Sequence, residues 1–249
     1  MEVCSSRAVV AFGVKPSFLA PDSCARNQFV AFATISGYVW VTPMACTIIG
    51  RSSSTFTRVA RIFAAELGVP YTLEVVRDLK SVEIQTYGGN PALKVPSMRT
   101  ASSTWFGALN ICRELARIAK RELCIVWPEA LEHPLLANMQ ELVLHAMATE
   151  VGLIMSSLPE EAIETVHRSK MSNSLHNTLS WLDTHVAQAL AALPEERHLS
   201  YLEACLFCLV THLEFRKLVP TAPYPALAAF CQRFGERPSC EQTQFRFDA

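Results

Sequence analysis

The stretch Asn90-Pro91-Ala92-Leu93-Lys94-Val95-Pro96-Ser97-Met98 constrains the fold of this chain more than any other. Two prolines five residues apart bracket the start of an apolar run, and Pro96 falls inside it. Proline has no N–H to give a sheet ladder and its ring fixes φ, which argues against an ordinary central strand here. Two readings remain open. Either Val95-Pro96 is a cis peptide that turns the chain sharply and frees the Val95 backbone groups to bind something outside the sheet, or the segment is an edge strand with a trans proline.

The flanking sequence is orderly from Ala45 onward. Cys46-Thr-Ile-Ile-Gly50 is a short β-rich run, followed by the hydroxyl-rich Ser52-Ser-Ser-Thr55. Val59, Ile62, Phe63 and Leu67 then fall on one helical face, with Gly68 placed to cap the helix and Pro70 to stop it. Tyr71 to Val76 alternates as a half-buried strand, and residues 77–90 read as a loop containing a helical turn. After the proline-bracketed strand come a turn through Arg99 to Ser103, a strand at Thr104–Phe106 and a helix opened by Gly107. The order β-α-β-loop-β-β-α predicts a small α/β sheet.

Beyond Trp127-Pro128 the sequence predicts helices and no further strand. Pro134 to Leu158 is one long helix, Leu175 to Leu193 a second, Leu206 to Leu218 a third and Pro225 to Phe234 the last. Ser200 and Glu203 form a capping-box pattern before the third, with hydroxyl and carboxylate three residues apart. The expected organisation is therefore an α/β domain over residues 45–122 and an all-helical domain over 130–245. Residues 1–44 show neither helical nor alternating periodicity; a disordered or mis-called extension is the expectation, with a targeting peptide as the alternative.

Composition narrows the functional classes. A net charge of -1 without blocks of like charge gives no footprint for nucleic acid or an anionic membrane. No apolar stretch reaches the roughly 18 residues needed to span a bilayer. Nine cysteines, an odd number without framework spacing, read as reduced and mostly buried thiols in a reducing, cytoplasmic setting. Cys205-Leu-Phe-Cys208 has a redox-like spacing but lies in a helical run, so core packing is its expected role. The seven histidines share no zinc-site spacing, and no metal is expected.

These residues together resemble the glutathione transferase superfamily, over roughly residues 45–245. The resemblance rests on the hydroxyl loop leading into Phe56-Thr-Arg-Val-Ala-Arg-Ile62, on Asn90-Pro91 with Lys94-Val95-Pro96, on the Ser200–Glu203 cap, and on Pro225-Ala-Leu-Ala-Ala-Phe with Arg237-Pro238-Ser239. It implies a thioredoxin-like α/β N-terminal domain with a cis-proline, an all-α C-terminal domain, and a homodimer. It also implies glutathione as co-substrate and a small hydrophobic electrophile as its partner in the reaction.

Conjugation needs a thiolate, while a free thiol near pH 7 is mostly protonated. In register with the family's hydroxyl or thiol, Ser54 is the expected thiolate stabiliser, with Ser53 and Thr55 one residue to either side; the same hydroxyls also serve as helix caps. No cysteine occupies this loop, so disulfide-exchange chemistry is not expected. The resemblance assigns Val95, beside Pro96, to the cysteinyl backbone of glutathione. Lys94 and the arginines at 51, 58 and 99 could approach the ligand's carboxylates, with solvation at the surface as the default reading of each. Family members place an acidic residue and a hydroxyl at the start of the helix after the hairpin; here the register holds Gly107-Ala108. That departure keeps two other readings open: a catalytically idle binding or assembly module of the same fold, and a thiol-dependent isomerase or dehalogenase.

Overall fold

The computed structural model describes residues 46–156 and 165–249, and the strand residues Thr34–Ile35 and Tyr38–Val39. The chain divides into two compact units, Met1–Thr42 and Pro43–Ala249. Of the first, only β1 (Thr34–Ile35) and β2 (Tyr38–Val39) are described, as an antiparallel pair with Thr34 opposite Val39. The expectation of disorder or mis-calling for residues 1–44 otherwise lies outside the described residues.

In the second unit β3 (Cys46–Gly50) leads through a tight turn into α1 (Thr55–Leu67), which returns to β4 (Tyr71–Val75). A 3-10 turn at Ile84–Tyr87 precedes β5 (Ser97–Arg99), β6 (Thr104–Phe106) and α2 (Ala108–Ile118). The sheet order is β4-β3-β5-β6, with β3 parallel to β4 and antiparallel to β5. This is a thioredoxin-like sheet. Val95-Pro96 is a cis peptide, and β5 begins only at Ser97. The proline therefore sits before the ladder instead of inside it, where its missing N–H costs nothing.

A helical region follows: α3 (Pro134–Ser156), α4 (Val166–Ala192), α5 (Tyr201–Arg216), α6 (Pro225–Gly235) and α7 (Pro238–Gln242). The expectation that the helix from Pro225 is the last is corrected by α7, whose five residues are too few for a periodic signal. Helix α4 starts nine residues before the predicted Leu175, at a Thr165 cap whose hydroxyl accepts from Arg168 N–H at 3.1 Å. Its first turns are polar and carry no apolar stripe, which is why periodicity missed them. The expectation that strands stop after Trp127 is corrected by β8 (Leu199–Ser200), which pairs in parallel with β7 (Ile125–Val126). Two residues are too few for a periodic signal; the pair forms because His198 N–H reaches Cys124 C=O at 2.7 Å.

One core runs through both halves, from Ile48 and Met98 in the sheet to Leu206 and Leu209 in α5. Helix α1 lies between them. None of its 13 residues is exposed, although the sequence suggested a single apolar face. Its remaining surface meets α5 and α7. Arg58 is inserted there, stacked 4.8 Å from the Phe207 ring centre and 4.3 Å from that of Phe245. It donates to Thr211 Oγ1 at 3.0 Å and to the Cys240 carbonyl at 3.1 Å. Burial lowers its pKa from the ordinary arginine value. The half of the capping box that involves Ser200 is present, its hydroxyl accepting from Glu203 N–H at 3.4 Å. Glu203 instead gives both carboxylate oxygens to Arg197, at 2.8 and 3.0 Å.

The segment before Pro96 is held by side chains. Asn90 accepts from Ala92 N–H at 3.0 Å and donates to the Lys94 carbonyl at 2.8 Å. Ser97 Oγ donates to the Tyr87 carbonyl at 2.7 Å, joining β5 to the 3-10 turn. Gly88 ends that turn at φ +67°, and a Cβ there would lie 2.4 Å from Ile49 Cδ1 and 3.3 Å from Ser97 Cβ. Gly88→Ala combines left-handed strain with overpacking and is expected to cost about 2–4 kcal/mol in denaturant unfolding.

Candidate functional site

Sheet register brings three distant segments to one edge. Ile49 pairs with Ser97 and Ser97 with Phe106. One step further along the ladders places Pro96 beside Gly50 on one side and Gly107 on the other; Gly107 N–H donates to the Pro96 carbonyl at 3.1 Å. The β3–α1 turn, the Val95-Pro96 peptide and the start of α2 are thus neighbours. Both α1 and α2 begin at this edge, so two helix N-termini with their partial positive charge converge on it.

The β3–α1 turn carries the three hydroxyl candidates, and their surroundings differ. Ser54 is the N-cap of α1, half-buried, with Oγ accepting from Thr57 N–H at 3.2 Å. Its hydroxyl proton has no acceptor among the described residues, so it remains able to donate outward. Ser53 is buried, and its carbonyl accepts from His212 Nε2 at 2.9 Å. Thr55 is fully buried, with Oγ1 unpaired among the described residues. Only Ser54 presents a donor toward solvent from a cap geometry.

Val95 is half-buried, and neither its N–H nor its C=O has a partner among the described residues. Lys94 next to it is exposed. Gly107 caps α2 at φ +82°, ψ +148°, without any side-chain cap; Ala108 is buried and supplies no polar side-chain atom. The first N–H groups of α2 are left for an external acceptor. Of the arginine candidates, Arg58 is corrected: it is buried in the α1–α5 packing and unavailable to a ligand. Arg99 faces Glu74 at 3.5 Å on the surface, and Arg51 stays half-buried in the turn.

The helical region reaches this turn through residues that sequence reasoning did not assign. Glu150 of α3 is fully buried, and its Oε1 lies 2.6 Å from His212 Nδ1. His212 is itself buried, between Glu150 and the Ser53 carbonyl. A carbonyl can only accept, so Nε2 carries a proton, and a further proton is shared between Nδ1 and the carboxyl group. Burial pushes the Glu150 carboxyl above its ordinary value, opposed by the hydrogen bond and charge of His212. On the other side of the turn, Asp248 Oδ2 accepts from Ser52 N–H at 2.8 Å. The available signal was a histidine and a glutamate at core positions of apolar helices, since such groups are buried only with partners.

The family model for the N-terminal domain of glutathione S-transferase matches residues 53–118. The chain has the glutathione transferase fold. A glutathione transferase family member from Pseudomonas fluorescens Pf-5, solved with bound glutathione, superposes with a TM-score of 0.66 at 18% identity, covering 81% of this chain and 99% of that one. A glutathione S-transferase from Methylobacterium radiotolerans in complex with glutathione sulfonate gives 0.63 at 16% identity, covering 82% and 96%. One from Methylobacillus flagellatus with glutathione bound gives 0.63 at 16%, covering 80% and 98%. A comparison with curated proteins finds no match.

Within this glutathione transferase fold Cys112 of α2 and Cys205 and Cys208 of α5 are core groups. Burial pushes the Cys205 thiol up to about 12 and those of Cys112 and Cys208 well above the ordinary value. Cys124 is exposed. Among the described residues no group of three or more His, Cys, Asp or Glu is placed to hold a metal, and no helix is long and apolar enough to cross a membrane. Alkylation of the native protein at neutral pH should modify Cys124 at least about 100-fold faster than Cys112, Cys205 or Cys208, read by peptide mapping, because thiolate fraction and access both disfavour the buried thiols. Ser54→Ala is expected to lose about 1 kcal/mol of stability in denaturant unfolding through the lost cap alone, with Ser54→Gly losing less.

Proposed function

We propose that this chain binds glutathione at the sheet edge formed by Ser54, Val95-Pro96 and Gly107-Ala108, and transfers its thiol to a small hydrophobic electrophile. One observation carries the reading: three sets of unsatisfied polar groups of different character converge there. The unpaired Val95 N–H and C=O suit an extended peptide added to the edge. The free N–H groups at the start of α2 suit a carboxylate. The Ser54 hydroxyl at the start of α1 suits a thiolate, since a donor and a helix N-terminus both stabilise negative sulfur and lower its pKa. The glutathione carried by the solved structures of the same fold supports this choice of ligand. Buried, protonated thiols fit a reducing cytoplasmic setting, and we expect a homodimer; a monomer by light scattering at micromolar concentration would remove that expectation.

A second reading is favoured by Gly107-Ala108. These residues offer the γ-glutamyl ammonium no counter-charge and no hydroxyl, and loss of such contacts weakens binding by a few kcal/mol. In that reading the fold serves as a binding or assembly module without chemistry. The same cleft used for thiol-dependent isomerisation or dehalogenation would differ from conjugation only in its products.

Calorimetric titration with glutathione separates these readings. Binding between about 1 μM and 1 mM, with turnover of a model electrophile, is expected for the enzyme. Ser54→Ala should keep glutathione affinity within severalfold while lowering kcat by about 10²–10³, the usual effect of removing one donor from a developing or stabilised anion. Absence of heat and of any melting shift at saturating millimolar glutathione would overturn the enzyme reading in favour of the module.

A further inference from the structure

The contacts that hold the Ser53-Ser54 peptide come from both halves of the fold. A peptide unit is planar, so the Ser53 carbonyl oxygen, the Ser54 N–H and the Cα atoms of both residues move as one plate. Each edge of this plate is held. Ser54 N–H donates to the Arg51 carbonyl at 3.1 Å, within the turn. The Ser53 carbonyl accepts from His212 at 2.9 Å, and His212 is held in turn by Glu150 at 2.6 Å. With both edges fixed, the direction in which Ser54 projects its side chain is fixed too.

Burying an imidazole and a carboxyl together is costly unless every contact is used, and an apolar pair of similar volume would fill the same core more cheaply. The side chains of His212 and Glu150 are 4% and 0% exposed. Glu150 Oε2 has no hydrogen-bond partner among the described residues, so the carboxyl group is directed at His212 alone. Phe245 and Phe215 pack against the imidazole, with ring centres 4.9 and 6.1 Å away. The charged groups nearest in effect are Arg216, which acts on Glu150, and Arg51, which acts on Arg216. Beyond the pair itself, the one side-chain hydrogen bond of His212 among the described residues is to the turn that bears Ser54.

We propose that Glu150 and His212 are positioning residues for Ser54: α3 orients the imidazole, the imidazole fixes the Ser53 carbonyl, and the shared peptide plane aims the Ser54 hydroxyl at the thiol. This rests on the reading of Ser54 as the thiol's donor. It assigns to the helical half a part in thiolate stabilisation that it plays without touching glutathione.

The test compares the full chain with His212→Leu, His212→Gln and Glu150→Gln. In ligand-free protein, His212→Leu should speed amide hydrogen exchange at Ser54 and Thr57 by about tenfold, the effect of losing roughly one net hydrogen bond. Exchange in α4 should be unchanged. His212→Gln, which keeps an amide donor facing the Ser53 carbonyl, should restore most of the protection, which a general packing defect would not allow. With glutathione bound, thiolate absorbance should titrate at higher pH in His212→Leu than in wild type, and kcat should fall with KM for glutathione held within about twofold. Unchanged exchange at Ser54 and Thr57 in a folded His212→Leu protein would overturn the proposal, as would equal thiol titration in all variants. A second readout needs no variant: wild-type His212 should show a slowly exchanging Nε2 proton, and an unprotonated Nε2 would overturn the proposal even if His212→Leu did not fold. If wild type binds no glutathione, the thiol reading fails on its own, while the exchange comparison still decides the positioning.

Discussion

The covering of α1 on both faces, with none of its residues exposed, is the constraint on which the rest of this structure depends. A helix covered on one side by a sheet usually keeps a solvated face for its charged residues. Here the second face is covered by α5 and α7, and Arg58 must remain charged inside the protein. Leaving such a group unpaired would be prohibitive, so the covering elements supply its partners: two aromatic rings, the Thr211 hydroxyl and the Cys240 carbonyl. Glu66 at the other end of the helix is tied to the start of α7 through Ser239 at 2.6 Å and Arg237 at 3.2 Å. The two halves consequently share a core, and the start of α1 is fixed relative to both.

This fixation gives the sheet edge its chemical character. The turn before α1 delivers a cap to the helix through Ser54, whose hydroxyl accepts from Thr57 N–H and keeps its own proton without an acceptor among the described residues. Next to it, Pro96 closes a segment that lies outside the ladder, and Val95 has no partner for its N–H or C=O among the described residues. The same edge receives the uncapped start of α2. Each of these is a small local deficit of hydrogen bonding, and register alone makes them neighbours. Buried deficits of this kind are costly, whereas at a solvated edge they are tolerated and available to a ligand.

Much of this was legible in residue order. Pro96 announced a break in the ladder because its ring acts on its own φ and N–H, whatever surrounds it. Ser54 announced a helix start for the same local reason, and Gly107-Ala108 showed in advance that the start of α2 would lack a charged partner. Arg58 was read as a solvated surface group or a ligand candidate since its sequence neighbours do not reveal that α5 and α7 cover it. The Glu150–His212–Ser53 chain left only the hint of two polar residues at core positions; its contacts span 62 and 159 residues, and neither spacing carries a local signature that would pair them. The early turns of α4 and the β7–β8 pair were missed because a polar helix start and a two-residue ladder leave no periodic trace.

The sequence by itself determined the order of elements from β3 to α2, the interruption at Val95-Pro96, the starts of α1 and α2 and the absence of a charged side chain at Gly107-Ala108. These follow from covalent geometry and from interactions within a few residues, which any folded form must respect. Only the tertiary structure decided which of three adjacent hydroxyls faces outward, which arginine is buried, and which side chains hold the turn in place. Those outcomes depend on the juxtaposition of α3, α5 and the C-terminal residues around α1, and burial in that shared core sets which polar groups find partners.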